Sequence, residues 1–288
     1  MCPHDGERTA APFAPTRTPT LNCATVQGRP GDEVRLRVLA ADDPLVDELG
    51  AAEPVNPPVD RADLARRVAA DRRVMLLEVD GHPSVVLWVA LTVGIPDRPT
   101  DVLDPSVPVL EPAQADTAVF HSIWNVGSRD SSPPPSEDGG QRTDARLMVE
   151  MALDHLARDE PQLRTAVTLS PVPGLRAWLE ASGDPPATER EDLVRLATTY
   201  LTSLQPDGSP VDPVARFHLG NGARLWRVLV DADPSPLGTR RSHGVMANYR
   251  YAPEDRTANR ALLATGRVPV APTIRVGPTS GTMDADRA

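Results

Sequence analysis

Residues 74–93 read VMLLEVDGHPSVVLWVALTV, and this stretch does most to decide the fold. Two apolar runs rich in β-branched residues, 74–79 and 84–93, flank the turn sequence DGHP at 80–83. Asp-Gly between two such runs favours a β-hairpin, because it supplies the positive φ angles that tight turns need. The stretch therefore predicts two antiparallel strands in the first half of the chain.

Further helices and strands alternate along the chain around this hairpin. Asp60 is a predicted N-cap, and residues 34–47 fit either a strand or a short helix. Residues 95–116 are predicted to be a proline-broken connection. The periodicity predicts helices over 61–72, 143–158, 175–181 and 189–204 and strands over 117–124 and 166–170. The alternation predicts an α/β fold with a mixed sheet flanked by helices.

Composition predicts which parts of the chain are ordered. The 288 residues include 32 prolines and 19 glycines, more than a compact domain of this length needs. Residues 1–32 are predicted to be a disordered proline-rich leader, and 273–288 a disordered tail. Residues 127–140 form a low-complexity stretch that predicts a flexible loop. One domain over 33–272 is therefore expected.

Charge and cysteine content exclude several classes of function. The chain has 30 basic and 40 acidic residues, and a net charge of −10 argues against nucleic-acid or anionic-membrane partners. Cys2 and Cys23 both lie in the leader, too few for a disulfide framework or a metal site. No apolar run approaches the roughly 20 residues that span a bilayer, and no signal peptide is recognisable. A cytoplasmic protein is predicted.

Residues 212–251 contain the histidine with the clearest candidate role. His218 lies between apolar residues and the turn signal Asn221-Gly222. Histidine gives or takes protons near neutral pH, yet a single buried histidine is more often structural. A second segment, TLSPVPGLRAWL at 168–179, contains a serine that could equally well end a strand. The residues alone leave both readings open.

Together these segments resemble the malonyl-CoA decarboxylase family. The family segments are similar to EAVH, VEVALT.GI, FYSIS, TLSPIPGF..WL, NPVANFHL.NGA.LWR and GLMANYRY. Their counterparts here, in the same order, are EPVN at 53–56, LWVALTVGI at 87–95, FHSIW at 120–124, TLSPVPGLRAWL at 168–179, DPVARFHLGNGARLWR at 212–227 and GVMANYRY at 244–251. The last two match almost without gaps.

The resemblance implies a fold like that of GNAT acetyltransferases and decarboxylation of a malonyl or methylmalonyl thioester. Carried over to matching positions, it implies that Ser170 orients the malonyl group and His218 protonates the enolate. Tyr251, and with it Asn248, would orient the histidine or polarise the thioester. No metal and no organic redox cofactor is implied, since CoA or phosphopantetheine belongs to the substrate.

The resemblance is weakest at the loop that would bind the pyrophosphate of CoA. In the family this loop resembles QxGLxGVxLG and leads into a helix, whose N-terminal N–H groups suit phosphate. The matching sequence here is GGQRTDAR at 139–146. The implied carrier-binding residues are Gly140, Gln141, Arg142, Thr143 and Arg146. Arginine side chains can replace part of the backbone cradle, or the acyl group can arrive on a carrier protein.

Three functional hypotheses follow from the resemblance and its departures. The first is decarboxylation of malonyl-CoA or a malonyl-acyl carrier protein. The second is GNAT-type acyl transfer in the same cleft, and the third is a catalytically silent acyl-CoA-binding protein. Because 52 residues precede Glu53, the helical domain that mediates association in the family is predicted to be absent. A homo-oligomer therefore remains an open possibility.

Overall fold

A computed structural model describes residues 25–27, 33–126, 144–182 and 190–274. The strands in these residues are β1 (Thr25–Gln27), β2 (Glu33–Leu39), β3 (Arg72–Val79), β4 (His82–Thr92), β5 (Thr117–Asn125), β6 (Thr165–Thr168), β7 (Ser170–Pro171), β8 (Arg224–Leu229) and β9 (Met246–Tyr251). They form one sheet in the order β1-β2-β3-β4-β5-β6-β9-β7, with β8 also paired to β9. The β5–β6 pair is parallel and the other pairs are antiparallel. The predicted mixed sheet is confirmed.

Helices cover both faces of this sheet. They are α1 (Leu45–Ala52), α2 (Arg61–Arg67), α3 (Thr100–Leu103), α4 (Asp144–Asp159), α5 (Leu175–Ser182), α6 (Arg190–Thr202), α7 (Pro213–Gly220), α8 (Pro236–Ser242) and α9 (Arg256–Ala264). The largest core cluster joins one face of the sheet to α4, α6 and α7. A second cluster packs α1 against the opposite face of β2 to β5. Among the described residues, no helix is long and apolar enough to cross a membrane.

The predicted hairpin is present, and its turn is shorter than the four residues proposed. Asp80 and Gly81 alone form the turn, with φ angles of 51° and 78°. Both central residues therefore have the positive φ that twisted two-residue hairpins require. His82 and Pro83 already belong to β4, whose following residues are buried on both faces.

Several other predicted boundaries shift for physical reasons. The helix after Asp60 ends at Arg67 rather than at 72, and the Asp60 side chain accepts from the N–H of Asp63 as predicted. It stops early because β3 needs residues from Arg72 onward for pairing with β4. The ambiguous residues 34–47 contain both a strand and the start of a helix.

The ends of the chain also differ in part from expectation. Thr25–Gln27 lies within the stretch predicted to be disordered, but it pairs with β2. Helix α9 lies within the predicted domain, although the sequence did not predict a helix there. The rest of the leader, the predicted loop at 127–140 and residues 275–288 lie outside the described residues.

The predicted strand over 166–170 is divided, and this division creates a fork in the sheet. β5 and β6 are in register from Thr117 and Thr165 up to Phe120 and Thr168. The Leu169 N–H still donates to the Phe120 carbonyl, at 3.3 Å. Ser170 pairs with β9, as β6 does, but no longer with β5. Beyond Phe120 and Leu169 the two parallel strands therefore separate, and side chains can enter between them.

A β-bulge lies on β5 where the fork opens. Trp88 of β4 is opposite Ser122, whereas the next residue, Val89, is opposite Phe120. His121 is therefore the extra residue of the bulge. Bulges bend a strand and redirect side chains, and they are common beside functional sites.

Candidate active site

A cavity of about 50 Å³ lies in the fork between β5 and β7. Its lining is mostly apolar, with contributions from α4 and α7 as well as the two strands. The polar lining residues are His121, Ser122, Ser170 and His218. A small, largely apolar cavity with a few convergent polar groups is the usual form of a small-molecule site.

Ser170 and His218, 48 residues apart in sequence, meet at this cavity. The Ser170 Oγ lies 3.1 Å from the His218 Nε2 and 2.8 Å from the Thr168 Oγ1. The serine and histidine side chains are buried, with exposed fractions of 4% and 5%. The two predicted residues are thus within hydrogen-bonding distance.

Helix α7 presents His218 to the serine. Asp212 is its N-cap and accepts from the Ala215 N–H at 2.7 Å, and Pro213 occupies the first helical position. Both residue types are favoured at these positions. The helix ends at Asn221-Gly222, where Gly222 has a φ of +88°. A Cβ on Gly222 would lie 2.7 Å from the Arg256 carbonyl oxygen, so glycine is needed there.

Two tyrosines of β9 contact the imidazole of His218. The Tyr251 hydroxyl lies 2.9 Å from the His218 Nδ1. The Tyr249 ring stacks on the imidazole, with ring centres 4.8 Å apart. Residues two apart in a strand face the same side, which explains why both tyrosines reach one helix. Sequence reasoning included Tyr251 and missed Tyr249, although their spacing in NYRY was a usable signal.

Asn248 and Thr168 support the serine rather than contact the histidine. The Asn248 amide donates to the Thr168 carbonyl at 2.7 Å. The Thr168 hydroxyl accepts from the Tyr249 N–H at 3.1 Å, as well as from Ser170. Within the described part of the chain, Asn248 has no hydrogen bond to His218 or Tyr251. Thr168 was not predicted, although it precedes Ser170 by the two-residue spacing of one strand face.

Burial keeps the central groups uncharged at neutral pH. It lowers the pKa of His218 to about 3 and raises the pKa of Tyr251 well above 10. The imidazole is therefore neutral in this state, with one nitrogen able to donate and the other able to accept.

Comparison with known proteins assigns the family. The profile described as "Malonyl-CoA decarboxylase C-terminal domain" matches residues 44–192 and 186–282. The chain belongs to the malonyl-CoA decarboxylase family. The mitochondrial malonyl-CoA decarboxylase of Anser anser anser is 28% identical over 270 residues, covering 75% of this chain and 51% of the relative. The chain thus spans about half the length of the curated relatives it matches.

Solved structures agree with this assignment. Malonyl-CoA decarboxylase from Agrobacterium vitis is 34% identical with a TM-score of 0.71, over 83% of this chain and 65% of that one. The loading GNATL domain of CurA from Lyngbya majuscula has a TM-score of 0.51 at 18% identity, over 76% of this chain and 97% of that domain. The latter likeness concerns the fold alone, and it confirms the GNAT-like architecture.

Glu53 and Asn56, from the segment that departs from the family-like EAVH, support β5. The buried Glu53 carboxylate accepts from the Ser122 hydroxyl at 2.7 Å and from the Trp124 Nε1 at 3.0 Å. The Asn56 amide donates to the His121 carbonyl at 3.0 Å. The segment therefore fixes the bulged side of the fork, a role that the sequence alone did not indicate.

The predicted carrier-binding residues are only partly described. Gly140, Gln141, Arg142 and Thr143 lie outside the described residues. Arg146 lies in the first turn of α4, with its Nε 3.7 Å from the Glu150 carboxylate. Arg256 and Arg260 of α9 approach the same carboxylate oxygen, at 3.9 and 3.3 Å.

Asp212 is a buried acid where the family-like segment begins with asparagine. Burial raises the pKa of its carboxyl to about 6, from an ordinary value of 3.8. The folded state therefore favours the protonated acid. Stability gained from this group is fully present below pH 3.8 and is lost as the pH rises through 6.

Asp212→Asn is expected to stabilise the protein at pH 7.5, by about 2 kcal/mol. Asparagine keeps an oxygen for the Ala215 N–H and carries no charge to bury. Urea unfolding at pH 7.5 and pH 4 measures the difference, which should nearly vanish at the lower pH. An equal gain at both pH values would show that ionisation of Asp212 is not the cause.

Proposed function

We propose that this chain decarboxylates a malonyl thioester, with Ser170 and His218 as its catalytic pair. The observation that carries the proposal is the 3.1 Å approach of these two side chains at an apolar cavity. Family membership supports the reaction class, since the relatives named above are malonyl-CoA decarboxylases.

The reaction needs two tasks from the protein. When the carbon–carbon bond to the carboxylate breaks, its electron pair moves to the thioester as an enolate and CO2 leaves. The enolate oxygen needs hydrogen-bond donors, and the α-carbon then needs a proton. One proton is consumed for each CO2 released. Ser170 orients the malonyl group, and His218 delivers the proton.

The partners of His218 favour one tautomer. Burial raises the pKa of Tyr251, so its phenol stays protonated, and we assign its hydroxyl as the donor to His218 Nδ1. The Nε2 then carries the hydrogen and faces Ser170. Ser170 in turn donates to Thr168. This chain of donors aims the proton-bearing nitrogen at the cavity.

Substrate binding supplies the charge that the acid step requires. An ionised carboxylate about 4 Å from the imidazole contributes about 4 kcal/mol at an effective dielectric constant of 20. That corresponds to about a thousandfold rise in proton affinity. The pKa of His218, which is about 3 without ligand, thereby rises much nearer to neutral pH. His218 takes up its proton together with the substrate and gives it to the enolate.

The apolar lining assists the first step. Phe120, Val149 and Phe217 are among the residues that replace water around the acyl group. A carboxylate loses hydration there, whereas the neutral CO2 product needs none. The small cavity volume of about 50 Å³ favours a short acyl group such as malonyl or methylmalonyl, on CoA or on the phosphopantetheine arm of a carrier protein.

Incubation of the purified chain with malonyl-CoA and with malonyl-acyl carrier protein tests the proposal. The expected result is loss of the mass of CO2 from at least one of them. Transfer of an intact acyl group to an amine or hydroxyl would instead identify an acyltransferase. Binding of CoA without either product would identify a silent binding protein.

A further inference from the structure

His121 is a buried histidine that the proposed reaction does not yet use. It occupies the bulge of β5, lines the cavity and is only 3% exposed. Neither of its ring nitrogens has a hydrogen-bond partner among the described residues. The family-like segment FYSIS has tyrosine at this place, where this chain has histidine.

An imidazole in this position is costly without a polar partner. A buried donor or acceptor that stays unpaired loses its hydration and gains nothing in return. An apolar residue of similar size would avoid this cost, as its neighbours Phe120 and Ile123 do. Residues that break a local rule of stability are commonly found at functional sites.

The charges around His121 favour an anionic partner. Burial, with Arg67 and Arg72 nearby, keeps the pKa of His121 well below 6.5, so the ring is neutral and has one N–H to donate. The two guanidiniums are paired with Asp63 and Asp71, at 2.8 and 2.9 Å. Both guanidiniums nevertheless lower the pKa of His121, which means that the electrostatic potential at the ring is positive.

The other polar lining groups are already engaged. The Ser122 hydroxyl donates to Glu53, and Ser170 bonds with Thr168 and His218. Among the described residues that line the cavity, His121 therefore has a ring N–H without a hydrogen-bond acceptor. An acyl group that carries a second oxygen function needs such a donor in addition to the catalytic pair.

We propose that His121 is a specificity-determining residue, whose ring N–H donates to the free carboxylate of the acyl group in the fork. The proposal rests on the proposed function and names the residue that selects acidic acyl groups over neutral ones. A neutral donor suits this task. A guanidinium would stabilise the carboxylate most before the reaction, when the charge has not yet moved to the enolate.

The test compares malonyl-CoA with acetyl-CoA, which lacks the carboxylate, in wild type, His121→Phe and His121→Gln. Binding is measured by calorimetry in the Ser170→Ala background, and turnover by CO2 release in the native background. His121→Phe is expected to weaken malonyl-CoA binding by about tenfold or more, and acetyl-CoA binding by less than about twofold. His121→Gln keeps an N–H donor and should retain most of the preference for malonyl-CoA.

A thermal melt separates this role from a structural one. Because phenylalanine removes two unpaired polar atoms, Tm of His121→Phe should not fall, and a rise of about 2 °C is expected. A lower preference for malonyl-CoA at unchanged or higher Tm supports the proposal. An unchanged preference in His121→Phe overturns it, as does an equal loss for both ligands. If His121→Phe does not fold, His121→Leu is judged by the same ratio.

The binding arm also separates this proposal from the proposed function. A wild-type protein that prefers malonyl-CoA but releases no CO2 would contradict decarboxylation and leave the role of His121 intact. A protein that releases CO2 with an unchanged preference in His121→Phe would contradict only the role of His121.

Discussion

Replacing His218 with alanine is expected to slow CO2 release from the malonyl thioester by at least about 100-fold. Proton transfer by a positioned acid contributes about 10²–10⁴ in rate, and His218 is the imidazole hydrogen-bonded to Ser170. The α-carbon of the enolate must then take its proton from water, which the apolar lining largely excludes. Single-turnover measurement with saturating substrate separates this step from binding.

His155→Ala is the matched control for this prediction. His155 lies on α4, is partly exposed and pairs with Asp159 at 2.9 Å, and it does not line the cavity. Its replacement should leave turnover within about twofold, since surface ion pairs contribute little. Turnover of His218→Ala at the wild-type rate would remove the assigned role of His218, whatever the control shows.

Ser170→Ala is expected to lower kcat by about 100-fold, with a smaller change in KM. The serine hydroxyl connects Thr168 to His218, so its loss removes the oxygen that holds the imidazole in place and frees the ring to rotate. Removing one preorganised polar group from an active site usually costs about 10²–10³ in kcat. The same kinetic measurement applies, with a thermal melt to exclude unfolding.

Ser203→Ala is the corresponding serine control. Its hydroxyl donates to the Thr199 carbonyl at 2.7 Å near the end of α6 and does not reach the cavity. A loss confined to KM in Ser170→Ala would indicate that the serine only binds substrate. A double variant with His218→Ala should lose little more than either single variant, because the two side chains act as one unit.

Much of the sheet could be predicted from local patterns. The apolar runs of β3 and β4 and the Asp80-Gly81 turn depend on residues that are neighbours in sequence, so hydrophobicity and turn chemistry define them. The same holds for the cap of α2 by Asp60. The predicted ends of strands were wrong where pairing between residues distant in sequence decides them. β6 ends at Thr168, where its pairing with β5 also ends, while β9 pairs with β6 and β7 in one register.

The candidate site was predicted in part, and mainly through resemblance. Nothing local indicates that Ser170 and His218 approach each other, since a sheet strand and a separate helix bring them together. Thr168 and Tyr249 could have been found from the two-residue spacing along their strands. The role of Glu53 depends on contacts with β5 about 70 residues away, which no sequence window contains.

The close packing at Gly222 has a consequence for the C-terminal region. The backbone of α9 lies against this glycine, and the Asn259 amide donates to its carbonyl at 3.0 Å. Helix α9 therefore supports helix α7, which bears the proposed catalytic histidine. Because the two helices pack together, local opening of α9 is expected to loosen α7 and with it the position of His218.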